Sequence, residues 1–270
     1  MKLSIIIINY NSGALTHACL ESLLKQKLPP QTEIIVVDNG SSDTSIPFLR
    51  SDFPEIQVID NKKNLGFAGG LNKGIAQAKG KYYLILNPDI ITLPGSVNTL
   101  INFLADNSDV GIAGGQLLSP NGDIQDSSFR FYTPATILYR RTFLGRTKRG
   151  QAALNKFLMS DFDHKSVRDV EWLMGSCLAV RATAVAEVGG MDERFFLYFE
   201  DVDWCRRFWQ KGWRVTYFPP AHFSHFHQRR SQQSPLLGIL TNWTTREHIR
   251  SAIKYFLKYR GQPRPQIEKN

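Results

Sequence analysis

The chain has 270 residues and a formal net charge of +9, from 33 lysines and arginines against 24 aspartates and glutamates. With 42% hydrophobic and 21% charged residues, it has the composition of a globular protein that can bury a full core, as one α/β domain or two closely packed halves. No apolar run approaches the roughly 20 residues that a spanning helix requires, so none is expected. The three cysteines, Cys19, Cys177 and Cys205, are far apart, which favours a reducing cytoplasm.

The positive charge is concentrated in two segments. Residues 135–168 carry eight basic and two acidic side chains, and residues 226–270 carry nine and two, so the remainder of the chain is acidic. Such basic surfaces suit nucleic acid, an anionic membrane or a phosphorylated substrate. Solvated helix faces are the ordinary alternative.

The N-terminal part of the chain alternates strand and helix patterns. Continuous apolar runs at Leu3 to Ile8 and at Glu33 to Asp38 are typical of strands covered on both faces of a parallel sheet. The polar residues 9–11 end the first run too early for a signal peptide. Leucines at helical spacing predict a helix between the two runs. Further strands are predicted at Gln57 to Asp60 and Tyr82 to Asn87, so the βαβαβ succession predicts a mostly parallel, Rossmann-like sheet.

Polar clusters follow three of these strands. They are Asn9-Tyr10-Asn11, Asp38-Asn39-Gly40-Ser41 and Asn87-Pro88-Asp89. Because ligands bind at the carboxyl ends of the strands in such sheets, the clusters should converge on one crevice.

Three side chains in these clusters have a functional and a structural interpretation. Asp89 could hold a divalent ion against a diphosphate, since Mg²⁺ and Mn²⁺ prefer oxygen ligands, or it could cap a turn. Asp38 could accept a hydrogen bond from a nucleotide base or cap its own turn. Tyr10 could stack on a base or simply pack.

The second half of the chain is less regular. Val110 to Gly114 predicts a strand, whereas residues 123–168 are basic and show no clear pattern. Order returns at Trp172 to Val180, followed by a helix at Ala182 to Val188 and a last strand at Trp213 to Phe218.

A final helix is predicted near the C-terminus. Thr244 and Glu247 fit a capping box, and the apolar side would carry Ile249, Ile253, Phe256 and Leu257. A basic stripe at i, i+4 spacing would suit a membrane surface; it comprises Arg246, Arg250, Lys254 and Lys258.

Residues 196–207 set three carboxylates, Glu200, Asp201 and Asp203, inside an otherwise aromatic run. Burial raises the pKa of a carboxylate and makes it a better base, which indicates acid/base chemistry. A helix N-terminus, which favours acidic residues, explains the cluster equally well.

Other ligand-binding patterns are weaker. His222, His225 and His227 are either metal ligands or a half-buried edge. The absence of a His-Glu-x-x-His or paired Cys-x-x-Cys motif argues against a dedicated zinc site. The glycines of residues 66–70 allow a ligand to approach the backbone, but they lack the features of a P-loop or a dinucleotide-binding fingerprint.

Taken in order along the chain, these motifs resemble glycosyltransferase family 2, which has the GT-A fold, and most of all its bacterial rhamnosyltransferase-type members. No single motif is decisive, but their joint order is highly specific. The matching segments lie within about residues 3 to 231 and are Ile-Ile-Asn-Tyr-Asn-Ser near the start, then residues 36–43, 64–72, 86–89, 175–181 and 190–203.

The resemblance implies an inverting transferase that uses a nucleotide diphosphate sugar. The implied donor contacts are Asn9, Tyr10, Asn11, Asp38, Asn39, Asn64, Gly69, Asn72, Asn87 and Asp89. Asp89 and His225 would hold Mg²⁺ or Mn²⁺, with His227 as the alternative histidine. The family usually has an Asp-x-Asp motif, and Asn87 replaces its first carboxylate here, so the metal would be weakly held or dispensable.

The catalytic residues follow by the same resemblance. Asp201 matches the family's base and Glu200 would position the base or the acceptor. The acceptor would contact Trp172, Gly175, Ser176 and Tyr198, whereas Asp203 with Arg207 would be structural.

The predicted organisation is a GT-A domain over residues 1–231, with a nucleotide-sugar-binding half (1–107) and an acceptor-binding half (108–231), and a basic helical extension over 232–270. The expected donor is dTDP-rhamnose, with a UDP-hexose or galactofuranose donor as alternatives. The acceptor would be a polysaccharide or lipid-linked glycan. The protein would be cytoplasmic, in peripheral contact with the inner face of an anionic membrane, and would not bind nucleic acid.

Two other functions compete with this one. A catalytically silent nucleotide-sugar binder would need neither Asp89 nor Asp201, and both are present. A nucleotidyltransferase usually has a glycine-rich loop directly after the first strand, where this chain has Asn-Tyr-Asn-Ser.

Overall fold

The computed structural model describes residues 2–226 and 242–267. In this part of the chain, nine strands form one mixed sheet in the order β3-β2-β1-β4-β10-β6-β11-β5, with β8 paired to β11, and β7 pairs with β9 separately. The strands are β1 (Leu3–Asn9), β2 (Thr32–Asp38), β3 (Gln57–Asp60), β4 (Tyr82–Leu86), β5 (Ile90–Thr92), β6 (Val110–Leu118), β7 (Ser128–Phe129), β8 (Arg168–Asp169), β9 (Trp172–Leu173), β10 (Cys177–Arg181) and β11 (Arg214–His225). The helices are α1 (Gly13–Leu24), α2 (Ser45–Asp52), α3 (Gly66–Gln77), α4 (Ser96–Asp106), α5 (Pro134–Arg141), α6 (Lys148–Leu158), α7 (Ala182–Val188), α8 (Glu200–Gln210) and α9 (Trp243–Lys258), with a 3-10 turn at Phe143–Arg146.

The N-terminal half forms the parallel part of the sheet. β1 runs parallel to β2 and β4, and β2 runs parallel to β3. The side chains of β1 alternate between two cores, Ile5 and Ile7 on one face and Ile6 and Ile8 on the other. This confirms the prediction of strands covered on both faces, where each buried aliphatic side chain contributes about 1.5–3 kcal/mol.

Two antiparallel pairings bring the second half of the chain to the carboxyl ends of these strands. β10 pairs with β4 with Cys177 opposite Leu86, which places residues 175–176 beside the turn after β4. β11 pairs with β5 with His225 opposite Ile90, which places this histidine beside the same turn.

The segment over residues 123–168, which shows no clear sequence pattern, is largely helical. α5, the 3-10 turn and α6 follow one another, and their first turns are capped by Thr133, Thr142 and Thr147. Pro134 occupies the first turn of α5, where it is well tolerated. Few residues of these helices are buried, so their sequences lack the apolar periodicity that would predict a helix.

The last predicted strand is longer than expected. β11 continues past Phe218 to His225, and its register against β6 shifts between Phe218 and His222. This irregularity accommodates Pro219 and Pro220, since proline is tolerated at a bulge.

The helix predicted near the C-terminus is present, but its cap and its buried face differ from the prediction. Asn242 accepts the N–H of Thr244 and is the N-cap, so the Thr244–Glu247 capping box is wrong. Ile253 and Leu257 are 55% and 64% exposed. The buried side is instead formed by Thr245, Glu247, His248, Ser251, Ala252 and Tyr255.

The basic stripe of α9 is also divided between solvent and protein. Lys258 pairs with Asp192 at 2.7 Å and with Asp203, a residue with no exposed surface. Arg207 donates to the same Asp203 at 2.8 Å, which agrees with the structural role predicted for that pair. α9 is therefore fastened to α8 by buried charges. Among the described residues no helix has the length and apolar character needed to cross a bilayer.

Candidate active site

Asn9, Asp38 and Ser41 form a closed hydrogen-bond cluster where β1 and β2 end. The Asp38 carboxylate accepts from the Asn9 amide and the Ser41 hydroxyl, both at 2.6 Å, and from the Ser41 N–H at 2.9 Å. Asn9 and Asp38 have no exposed surface. The Asp38 side chain therefore caps its own turn. A direct contact of its carboxylate with a nucleotide base stays a prediction.

Tyr10 and Asn11 form the rim above this cluster. Tyr10 is 47% exposed, so its ring is available to a ligand. Asn11 donates its N–H to the Ser41 hydroxyl at 2.9 Å and accepts the Ser42 N–H at 2.8 Å. These bonds join the loops that follow β1 and β2.

Asn39 holds the glycine-rich segment against the end of β2. It is buried, its amide donates to the Asn64 side chain at 3.1 Å and to the Gly66 carbonyl at 2.9 Å, and its own carbonyl accepts the Leu65 N–H at 3.1 Å. Asn64 in turn accepts the Gly66 N–H at 2.8 Å. Asn39 and Asn64, both predicted to contact the nucleotide-sugar donor, therefore fix the start of α3.

Gly69 and Asn72, which are also predicted to contact the nucleotide-sugar donor, lie on α3. A Cβ on Gly69 would lie 2.8 Å from the Leu65 Cβ, so a side chain there would displace the loop. Asn72 exchanges hydrogen bonds with the Met191 backbone at 2.8 and 2.9 Å and donates to Glu193 at 2.9 Å. Asn72 therefore ties α3 to the segment that precedes α8.

Asp89 and His225 face each other beyond the end of β4. Asp89 Oδ2 lies 3.5 Å from His225 Nε2, and Asp89 Oδ1 is buried with no hydrogen-bond partner among residues 2–226 and 242–267. His225 is 1% exposed, and its Nδ1 lies 2.9 Å from Gln125 Oε1. Because the Gln125 amide donates to the His225 carbonyl at 3.0 Å, its Oε1 is the atom that accepts from Nδ1, which orients the ring with Nε2 toward Asp89.

Of the other two histidines, only His222 lies in the described part of the chain. His222 is exposed on the opposite side of β11. His227 lies outside the described residues.

Gly175 and Ser176 connect the turn after β4 with the carboxylates of α8. The Ser176 carbonyl accepts the Asn87 N–H at 2.8 Å. The Gly175 N–H donates to Asp201 Oδ2 at 3.1 Å. Two consecutive residues thus bring the predicted metal-binding turn and the predicted base into one site, and the Ser176 hydroxyl, buried there, has no partner within the described chain.

The electrostatics of Asp201 and Glu200 suit proton transfer. Burial raises the pKa of Asp201 to about 6, against the opposing effect of the N–H groups of Gly175 and Val202. Burial, followed by the Asp201 charge, raises the pKa of Glu200 well above its ordinary value. Both adjacent carboxyls therefore have pKa values above the ordinary range, and ionisation of Asp201 disfavours that of Glu200 beside it.

The residues before α8 form an aromatic wall beside Asp201. Tyr198 and Phe199 have φ angles of 66° and 69°, a left-handed conformation that is costly for aromatic residues and occurs at functional sites. Tyr198 is half-buried at this wall. Trp172 is 6% exposed and its indole N–H donates to the Arg130 carbonyl at 2.8 Å, so it supports the wall from within, and its direct contact with an acceptor stays a prediction.

Comparison with known proteins identifies the family. The sequence profile described as "Glycosyl transferase family 2" matches residues 4–173, more than half of the chain. The chain belongs to glycosyl transferase family 2. Together with the two rhamnosyltransferase relatives described next, this match confirms the predicted glycosyltransferase activity and the resemblance to rhamnosyltransferase-type members.

Two relatives of this glycosyltransferase are named rhamnosyltransferases. The N-acetylglucosaminyl-diphospho-decaprenol L-rhamnosyltransferase of Mycobacterium tuberculosis is 28% identical over 245 residues, which cover 86% of this chain and 78% of that protein. Rhamnosyltransferase WbbL of Escherichia coli is 27% identical over 261 residues, which cover 84% of this chain and 93% of that protein.

A solved structure supports the fold. The mannosyltransferase PcManGT from Pyrobaculum calidifontis, in complex with GDP-Man and Mn²⁺, superposes with a TM-score of 0.60 at 17% identity, over 94% of this chain and 64% of that one. The glycosyltransferase therefore has the predicted GT-A fold.

Sequence analysis missed residues that contribute to the site from distant segments. Gln125 orients His225, and it follows a turn at 119–122 that the sequence does show. His248 of α9 packs against Tyr198 at 5.2 Å between ring centroids. His248 belongs to neither the apolar side nor the basic stripe predicted for this helix, so the sequence gives no signal of such a contact.

Proposed function

We propose that this glycosyltransferase transfers a rhamnosyl group, with inversion, from dTDP-rhamnose to a hydroxyl of a polysaccharide or lipid-linked glycan. The observation that carries the proposal is the connection through Gly175 and Ser176, which joins the Asn87–Asp89 turn to Asp201. The names of the two relatives support rhamnose as the transferred sugar. The diphospho-decaprenol in the first name supports a lipid-linked acceptor.

Asp201 acts as the general base. Its carboxylate takes the proton of the acceptor hydroxyl as the oxygen attacks the anomeric carbon from the side opposite the diphosphate. A pKa of about 6 suits this step, because the carboxylate is ionised near neutral pH and is more basic than an exposed aspartate. The N–H groups of Gly175 and Val202 hold its two oxygens in fixed positions.

Asp89 and His225 are the residues that would hold a divalent ion. The unpartnered buried Oδ1 of Asp89 and the oriented Nε2 of His225 fit such an ion, and no third His, Cys, Asp or Glu joins them within the described residues. Two protein ligands leave room for diphosphate oxygens and water, as Mg²⁺ and Mn²⁺ require. The bound ion would offset the charge of the departing diphosphate.

The basic surfaces support action at the inner face of an anionic membrane. Arg246 and Arg250 of α9 are exposed, and Ile253 and Leu257 are exposed on the same helix. Exposed cationic and apolar side chains together suit the headgroup region of a lipid bilayer.

A thermal-shift screen of the purified protein tests the donor. We expect dTDP-rhamnose with Mn²⁺ to raise the melting temperature more than UDP-glucose or UDP-galactofuranose, because only a bound ligand stabilises the fold. A larger shift with either UDP-sugar would indicate that this UDP-sugar, and not dTDP-rhamnose, is the donor. A shift without transfer to any lipid-linked glycan would indicate a catalytically silent nucleotide-sugar binder. The anomeric configuration of the product, determined by NMR, tests whether transfer proceeds with inversion.

A matched pair of histidine variants tests the metal site. His225→Gln should weaken the Mn²⁺-dependent part of donor binding, whereas His222→Gln, exposed on the same strand, should not change it. Donor binding that is equal with Mn²⁺ and with EDTA would remove the metal function from Asp89 and His225.

A further inference from the structure

α5, the 3-10 turn and α6 form a helical hairpin with an exposed phenylalanine at its tip. The two helices pack against each other, and the turn between them contains Phe143, which is 71% exposed. A Cβ on Gly145 would overlap the Tyr139 carbonyl oxygen, so the turn is packed closely against the end of α5. The tip is thus held in place by the helix, and its phenyl ring still faces water.

The outer face of α5 is apolar as well. Pro134, Ala135 and Leu138 are exposed, and they share one side of the helix because residues three and four positions apart are neighbours on its surface. Single exposed apolar side chains are ordinary, whereas several on one element mark a contact surface for a protein or a membrane. We call these three residues and Phe143 the apolar strip.

The charge of the hairpin selects between possible partners. Residues 134–158 carry six basic and no acidic side chains. Four of the basic residues are exposed within six positions of Phe143, namely Arg140, Arg146, Lys148 and Arg149. A bilayer with anionic lipids accommodates both features, because its phosphates attract the cations and its acyl chains receive the apolar strip. Double-stranded nucleic acid would use the cations alone and leave the apolar strip in water.

Ring contacts fix the base of the hairpin beside the proposed catalytic helix. The Tyr132 ring, just before α5, lies 4.5 Å from the ring of Phe157 at the end of α6 and 4.8 Å from that of Phe199, between centroids. Phe199 directly precedes α8, which carries Asp201. α5 has eight residues, so it extends about 12 Å from this base to the tip. A membrane at the tip would therefore lie within about one short helix of the aromatic wall.

We propose that the hairpin docks the enzyme on an anionic bilayer, with Phe143 inserted at the boundary between headgroups and acyl chains and the exposed cations on lipid phosphates. This assigns membrane docking to an element other than α9. The inference rests on the proposed function, since a lipid-linked acceptor would be held in that bilayer while its hydroxyl faces Asp201.

Vesicle binding tests the hairpin without turnover. Sedimentation measures binding of the full chain to phosphatidylcholine vesicles with and without phosphatidylglycerol. We expect Phe143→Ser to lower the affinity for the anionic vesicles at least about 10-fold, because the phenyl ring is no longer removed from water. Arg146→Gln/Arg149→Gln should lower it by at least about 10-fold as well, since each cation near an anionic surface contributes roughly a factor of five.

The control variant is Phe48→Ser, which removes a 45% exposed phenylalanine from α2. It should change vesicle affinity less than about twofold, because α2 lacks the basic neighbours that hold a ring at an anionic surface. Unchanged vesicle binding by Phe143→Ser would overturn the inference, as would an equal loss in Phe48→Ser. The side chain of Phe143 is exposed, so the melting temperature of its variant should match that of the wild type.

A fluorescent label reports insertion of the tip directly. The three native cysteines are buried, so a polarity-sensitive fluorophore attached to Phe143→Cys labels position 143 selectively. Its emission should shift to shorter wavelength when anionic vesicles are added, whereas the same label on Phe48→Cys should not respond. An unchanged spectrum at position 143 would refute insertion.

A kinetic comparison separates this inference from the proposed function. The same glycan is offered on a lipid embedded in anionic vesicles and on a short water-soluble chain. Phe143→Ser should raise KM at least about 10-fold for the embedded acceptor and leave KM for the soluble one unchanged. Equal KM values of wild type and variant for the embedded acceptor would refute the hairpin alone. A wild type that binds vesicles through the hairpin but uses neither acceptor would refute the proposed function and keep the hairpin.

Discussion

Substitution of Asp201, the proposed base, should make the protein inactive and, at alkaline pH, more stable. The folded protein raises the pKa of Asp201 from 3.8 to about 6, and each pKa unit corresponds to about 1.4 kcal/mol, so the ionised carboxylate costs the fold about 3 kcal/mol. Since the folded-state pKa lies above the unfolded one, this cost is nearly absent at pH 4 and complete above pH 7. Asp201→Asn removes this cost. It leaves one of the two backbone N–H groups that bond the carboxylate, those of Gly175 and Val202, without a partner, which costs about 1 kcal/mol.

The net gain of about 2 kcal/mol at pH 8 corresponds to a rise of about 5 °C in melting temperature for a chain of this size. Thermal unfolding of the wild type and of Asp201→Asn at pH 8 and pH 4 measures this gain in stability. In a transfer assay, the variant should bind the donor but form no product. Asp203→Asn is the matched control on the same helix. It should lower stability at pH 8, because it leaves Lys258 and Arg207 without their buried partner. A melting-temperature difference for Asp201→Asn that is absent at pH 8, or equal at both pH values, would refute burial as the origin of the raised pKa.

Three further measurements follow from the same contacts. The initial rate of transfer should fall as pH decreases through about 6, because Asp201 gains a proton; a flat profile between pH 5 and 8 would contradict its function as base. Lys258→Met should lower the free energy of unfolding in urea by about 2 kcal/mol, because the buried Asp203 then loses one of its two cationic partners and keeps only Arg207. Lys254→Met, which removes only a bond to an exposed carbonyl, should cost less than about 1 kcal/mol, and equal losses would discount the buried pair. Gly66→Ala should weaken donor binding and destabilise the fold by about 2 kcal/mol, because φ is +75° and the new Cβ would lie 2.4 Å from a backbone oxygen; unchanged donor affinity would separate this turn from the donor site.

The N-terminal half of the fold was predictable because its signals are local. Strands buried on both faces produce continuous apolar runs, and the polar residues that end them, such as Asn9, Asp38 and Asn87, lie together as soon as the sheet is parallel. The predicted bounds of β3 agree with the structure to the residue. What sequence could not show there is that the Asp38 carboxylate is already occupied by three donors of its own fold.

The C-terminal part of the chain was less predictable because the burial of its residues contradicts simple patterns. α9 buries Thr245, His248 and Ser251 and exposes Ile253 and Leu257, the reverse of what an amphipathic pattern indicates. These polar side chains are turned inward by tertiary contacts, for example the bond from the Ser251 hydroxyl to the Leu197 carbonyl at 3.0 Å. Partners that are distant in sequence, such as Gln125 for His225, become visible only when strand pairing is known.

The attachment of α9 to α8 has a consequence for the order in which the enzyme becomes competent during synthesis. Besides Arg207, Asp203 is held by Lys258 and by the Tyr259 hydroxyl at 2.8 Å, both far downstream in the chain. Because a chain leaves the ribosome from its N-terminus, these two partners emerge after every strand of the sheet described above. We therefore expect the helix that carries Asp201 to reach its final stability late in synthesis, when α9 docks.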